Sequence, residues 1–156
     1  MKEVTAKEVL AGSKKLPFYK LRLVKTRSLR FAVDAIRNVE DLAKVAKMEL
    51  GNIPHEELIA IGISGAGIPL GVVRVSQGGL HSSAATAQDI IRPIIAMGAG
   101  AFVVAHNHPS GDPTPSADDV RMTDALQKAA ACVGLHILDH IVIGSRGGGW
   151  RSIMHP

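Results

Sequence analysis

Hydrophobic and polar positions alternate along this chain with two periods, and the switches between them mark the elements. Val39, Leu42, Val45, Ala46 and Leu50 recur at helical spacing behind Asn38, a good cap, with Glu40 and Asp41 in the first turn and Gly51 just past the end. Leu58 to Ile63 is a short, nearly continuous apolar run, the mark of a buried strand. The Gly65-Ala66-Gly67 turn leads to a second strand, about Ile68 to Ser76. Its G-x-G does not open a helix, because Pro69 and Val72-Val73 favour a hairpin, so a dinucleotide site is excluded. Thr86 to Met97 reads as a helix with Ile90, Ile91, Ile94 and Ile95 to one side, and Ala101 to Ala105 as a buried strand. Ser116 starts a long helix that stops at Gly134. Leu135 to Ile143 is a further strand, residues 144–149 a loop, and Trp150 to Ile153 a last short strand. Near the start, residues 1–16 read as a loose or partly helical leader. Tyr19, Leu21 and Leu23 alternate with Lys20, Arg22 and Val24 as in an edge strand, and Thr26 to Arg30 reads as a turn or loop.

With 156 residues, 46% of them hydrophobic and 3% aromatic, the chain can build one aliphatic core. The single cysteine, Cys132, allows no internal disulfide and reads as a packing residue. No apolar run is long enough to span a membrane and no secretory leader is visible, so a cytoplasmic location is the expectation. The net charge of +4 is uneven: residues 1–50 carry 12 basic against 6 acidic side chains, and the remainder 6 against 8. The basic half could meet nucleic acid or an acidic partner, although no nucleic-acid motif accompanies it.

The chemistry concentrates in His106-Asn107-His108-Pro109-Ser110-Gly111-Asp112-Pro113-Thr114-Pro115-Ser116-Ala117-Asp118-Asp119. In an extended segment, side chains at i and i+2 share a face, so His106 and His108 can aim at one point while Asn107 turns away. Three prolines stiffen the connecting loop. Ser116 then caps a helix and sets Asp119 in its first turn. Two imidazoles and one carboxylate make three metal ligands and leave a fourth position open, the arrangement of catalytic zinc. Hydrolysis also needs a base, and Glu56 and Glu57, just before the strand at Leu58, are both candidates on spacing alone.

The H-x-H-x7-S-x-x-D spacing resembles the JAB/MPN (JAMM) metalloproteases. The string AHNHPSGDPTPS, with Leu138-Asp139-His140-Ile141-Val142-Ile143-Gly144 downstream, is similar to their RadC-like branch. The similarity runs from about Glu57 to Ile153. It implies an α/β (α+β) fold with a cytidine-deaminase-like core, a mixed sheet flanked by helices. It implies Zn2+ on His106, His108 and Asp119, with Ser116 stabilising an oxyanion. Matching the family's E-x-φ-x-φ pattern to Glu57-Leu58-Ile59-Ala60-Ile61 selects Glu57 as the base, with Glu56 in reserve. The activity implied is cleavage of a peptide or isopeptide bond, with a protein or peptide substrate that includes ubiquitin-like conjugates. The alternative is a scaffold or DNA-repair-associated module that binds without catalysis. The corresponding division is a basic segment with one helix at 1–51 and the RadC-like domain at 52–156. Asp139 and His140 are further candidates, able to orient a ligand histidine. Asp118 reads as a helix-start acid or an alternate ligand, and Trp150 as a groove or sheet-end residue.

Overall fold

The computed structural model describes residues 17–30, 36–77 and 85–156. The leader expected at residues 1–16 lies outside them. Helix α1 spans Val39–Leu50, strand β1 Glu57–Ile63, β2 Pro69–Gln77, helix α2 Ala87–Ala96 and strand β3 Ala101–His108. Helix α3 spans Ala117–Cys132, strand β4 His136–Gly144 and strand β5 Gly149–Ser152, with a short 3-10 turn at Ser145–Gly147. The five strands form one sheet in the order β2-β1-β3-β4-β5. Only β3 and β4 are parallel; the other neighbours are antiparallel, so the sheet is mixed as expected.

The helices cover both faces because the strands alternate. Ile59, Ile61 and Ile63 of β1, with Val103 and Ala105 of β3, meet Leu42, Val45, Ala46 and Leu50 of α1. Leu58 and Ala60, with Phe102 and Val104, meet Ile90 and Ile94 of α2 and Leu126 and Ala130 of α3 on the other face. Burying side chains of this kind contributes about 1.5–3 kcal/mol each before the entropy of ordering is charged. The caps are as the spacing demands. Asn38 Oδ1 accepts from Asp41 N at 2.9 Å, and Thr86 and Asp89 close a reciprocal capping box on α2.

Two expectations change. Residues 17–30 form neither strand nor helix, and Phe18, Tyr19, Leu21 and Val24 are exposed. Among the described residues, the alternation at 19–24 enters no strand ladder, and a strand is stable only in a ladder. The segment is tied down further along: Leu29 packs against the α1-side core, and Arg27 Nη1 lies 3.0 Å from Glu49 Oε1. Cys132, at the last turn of α3, is exposed rather than packed.

Candidate metal centre

Parallel pairing with β4 extends β3 beyond Ala105 to His108, with His106 opposite Val142 and His108 opposite Gly144. The row Phe102, Val104, His106, His108 therefore faces α2 and α3, and Val103, Ala105, Asn107 faces α1. Asn107 turns away from the two histidines and acts as a clamp. Its Oδ1 accepts from Glu57 N at 2.8 Å. Its Nδ2 donates to Ile53 O, His55 O and Ser145 Oγ at 3.2, 3.0 and 3.1 Å.

Asp119 reaches the histidines because Ser116 fixes it. Ser116 N and Ser116 Oγ both donate to Asp119 Oδ2 at 2.7 Å, and Asp119 N donates back to Ser116 Oγ at 3.2 Å. This capping box holds the carboxylate on the helix's N-terminal rim and leaves Oδ1 facing His106. In this arrangement the Ser116 hydroxyl proton is engaged by Asp119, so an oxyanion role requires that hydroxyl to rotate.

His106, His108 and Asp119 converge, each offering a ligand atom within 4.8 Å of the others. His106 Nε2 and His108 Nε2 are 3.0 Å apart. Asp119 Oδ1 lies 3.3 Å from His106 Nε2, and Oδ2 3.6 Å from His108 Nε2. Tetrahedral zinc with bonds of about 2.0–2.1 Å has ligand–ligand edges of roughly 3.3 Å, so the donor set fits such an ion. The tautomer of His108 agrees. Its Nδ1 is 2.8 Å from the Asp112 carbonyl, which can only accept, so in the neutral ring the lone pair is on the Nε2 that faces the site.

The electrostatics are those of paired opposite charges. Hydrogen bonding to Asp119 raises the pKa of His108 against the opposing effect of burial, and the Asp112 carbonyl and the charges of Asp119 and Glu56 push the same way. Burial acts to raise Asp119, but His106 and His108, when they carry protons on the nitrogens that face it, outweigh burial and hold the carboxyl well below the usual range.

The loop from Pro109 to Pro115 is seated by glycines. Gly111 takes φ +90, and its carbonyl packs so closely on the turn after β4 that a Cβ on Gly144 or Gly148 would lie 2.3 or 1.7 Å from it. The glycine-rich stretch 144–149, legible in sequence only as a loop, is thus the floor under the ligand loop.

The two glutamates part company. Glu57 begins β1 in the row of Ile59 and Ile61, so its buried side chain turns to the α1 face. There Oε2 meets Arg74 Nε at 2.7 Å and Oε1 meets His55 Nε2 at 2.7 Å. Position 56 continues the row of Leu58 and Ala60 on the ligand face, and its charge is felt by His108. Asp139 and His140 also separate. Asp139 Oδ1 accepts from Ser152 Oγ at 2.8 Å and from His140 N at 2.7 Å, tying β5 to β4. His140 Nε2 lies 2.8 Å from His106 Nδ1. Thr123, one helical turn beyond Asp119, places its Oγ1 2.6 Å from His140 Nδ1. Sequence reading missed Thr123; the available signal was its i+4 spacing from a ligand on a helix.

A mixed sheet between helices, with two histidines on a strand end and a carboxylate on a capped helix, defines an α/β domain with a candidate metal centre. The family model for the RadC-like JAB domain matches residues 36–155, and the chain belongs to that family. It is 38% identical over 109 residues to a UPF0758 protein of Moorella thermoacetica, covering 70% of this chain and 48% of the relative. It is 35% identical over 120 residues to one of Clostridium perfringens, covering 74% and 53%. A third, of Carboxydothermus hydrogenoformans, is 34% identical over 107 residues, covering 69% and 47%. The chain thus spans about half the length of the curated relatives it matches. No helix among the described residues is long and apolar enough to cross a membrane.

Proposed function

We propose that this chain is a zinc-dependent hydrolase of amide bonds, acting on a peptide or isopeptide bond of a protein substrate such as a ubiquitin-like conjugate. The observation that carries the reading is the convergence of His106 Nε2, His108 Nε2 and the Asp119 carboxylate; three protein ligands on tetrahedral zinc leave the fourth position to solvent or substrate. A bound Zn2+ would supply Lewis acidity, polarising the scissile carbonyl and acidifying water.

The chain's own residues supply the rest. Glu56 takes the proton from the attacking water and returns it to the leaving amine. It has the ligand-facing strand phase, whereas Glu57 is committed to Arg74 and His55. Ser116, on rotating from Asp119, donates to the developing oxyanion.

The test is a zinc-loaded protein incubated with a peptide library and with ubiquitin-like fusions. Glu56→Gln should keep the metal and lose cleavage by about 10²–10⁴-fold, the range of general base catalysis. Glu57→Gln should act through stability instead. Undiminished cleavage by Glu56→Gln removes the base assignment, and no cleavage by the loaded wild type removes the hydrolase reading.

A second reading concerns the segment 17–30. Exposed Phe18 and Tyr19 next to exposed Lys20, Arg22 and Lys25, with no acidic residue between them, suit stacking and phosphate contact with nucleic acid. Salt-dependent binding of an oligonucleotide that weakens in Lys20→Ala/Arg22→Ala supports it, and unchanged binding removes it.

A further inference from the structure

A lone pair on His108 Nε2 is secured by a backbone carbonyl, but His106 has no such partner. Its other nitrogen meets a second histidine, whose proton position is itself open. The chain of contacts resolves this from its far end. Thr123 Oγ1 lies 2.7 Å from the main-chain carbonyl of Asp119. That oxygen only accepts, so it takes the one hydrogen the hydroxyl has. The contact of 2.6 Å between Thr123 Oγ1 and His140 Nδ1 must then run the other way, with Nδ1–H donating. Neutral His140 offers its Nε2 lone pair to His106 Nδ1 at 2.8 Å, which must carry the hydrogen. A doubly protonated His140 would place a charge where there is no solvent exposure and no carboxylate among its hydrogen-bond partners.

We propose that Thr123 and His140 are positioning residues that lock His106 in its Nδ1–H tautomer and so present its Nε2 lone pair to the metal. This rests on the metal-site reading and not on the hydrolase reading. The relay starts at the carbonyl of Asp119, itself a ligand residue. It therefore couples the two elements that carry ligands, β3 and α3, through β4. All of its side chains are buried, so water cannot substitute for a missing member.

Replacing Thr123 by Val keeps the shape and removes the acceptor. His140 Nδ1–H then has no partner, and the opposite tautomer becomes competitive. That tautomer donates from Nε2 to His106 Nδ1 and drives the His106 proton onto the very atom the metal needs. Thr123→Ser keeps the hydroxyl and serves as the rescue. His140→Gln keeps an acceptor for His106 Nδ1–H, whereas His140→Leu does not.

The experiment has two independent readouts. Long-range 1H–15N NMR of the metal-free protein at pH 8 reports the His106 tautomer directly. Chelator competition reports the zinc affinity. The expected result is an Nδ1–H tautomer in wild type and Thr123→Ser, lost or mixed in Thr123→Val. Zinc affinity should fall about 10–100-fold in Thr123→Val and His140→Leu and stay within a few-fold in Thr123→Ser and His140→Gln. A wild-type His106 protonated on Nε2 overturns the proposal, as does zinc affinity in Thr123→Val and His140→Leu equal to that of wild type. If wild type binds no zinc, the metal reading fails, and the tautomer measurement still decides the relay.

Discussion

Replacing Asn107 by Ala tests how the ligand strand is joined to the segment that carries Glu56. The side chain is fully buried and makes four hydrogen bonds across the α1 face. Truncation leaves Glu57 N–H without its acceptor inside the protein, and an unsatisfied buried donor costs about 1–3 kcal/mol. The carbonyls of Ile53 and His55 sit in a partly buried region and can be rehydrated, so together they add roughly 1 kcal/mol. Ser145 Oγ keeps its own contact with Ile53 O at 3.4 Å and adds little. The sum is a loss of about 2–4 kcal/mol, a large part of an ordinary domain's stability of roughly 5–15 kcal/mol. Urea unfolding of wild type and variant, with equal slopes, measures it. Cleavage should fall as well, because segment 53–57 is freed, while zinc affinity should hold within a few-fold, because His106 and His108 stay in β3. A stability loss below about 1 kcal/mol refutes the clamp, and so does loss of zinc without loss of stability.

Gly148→Ala must drive a Cβ into the backbone carbonyl of Gly111, 1.7 Å away. Overpacking of this kind costs about 1–3 kcal/mol, and because Asp112 carries the carbonyl that orients His108, thermal melts and zinc affinity should both worsen. Gly65→Ala, with nothing within 4 Å, is the neutral control. For pH, the raised pKa of His108 has a definite sign. The stabilisation from its pairing with Asp119 is complete below the unfolded value of about 6.5 and is lost as pH rises through the folded one. The Tm of metal-free protein should therefore carry a component that declines as pH rises past about 6.5 and is absent in His108→Ala. Zinc affinity should move oppositely, rising with pH as protons stop competing for Nε2. A zinc affinity independent of pH contradicts the assignment of His108 as a ligand.

What the sequence revealed of the site was whatever depended on near neighbours. His106 and His108 share a face because they are two apart on a strand, and Asp119 follows Ser116 because a capping box is a three-residue device. α1 and the β1–β2 hairpin were legible for the same reason, through Asn38, Gly51 and the Gly65-Ala66-Gly67 turn. The choice between Glu56 and Glu57 was not, since one residue of strand phase exchanges the two faces of the sheet. It takes the pairing of Leu58 with His106 to show which phase meets the ligands. The partner of His106 was hidden by distance along the chain. Parallel pairing of β3 with β4, with an irregularity opposite Phe102 and Val103, decides that His140 and not Asp139 faces His106. The false strand at 19–24 shows the converse: alternation specifies a face only where a neighbouring strand supplies the ladder.

The central claim is that His106, His108 and Asp119 hold a zinc ion. Elemental analysis of the chain, purified without chelator and then titrated with zinc, tests it most directly. One equivalent per chain should bind in wild type and fall to background in His106→Ala, His108→Ala and Asp119→Ala, while Glu57→Gln retains it. A wild-type protein that takes up no metal, or a His108→Ala variant that keeps a full equivalent, would contradict the account.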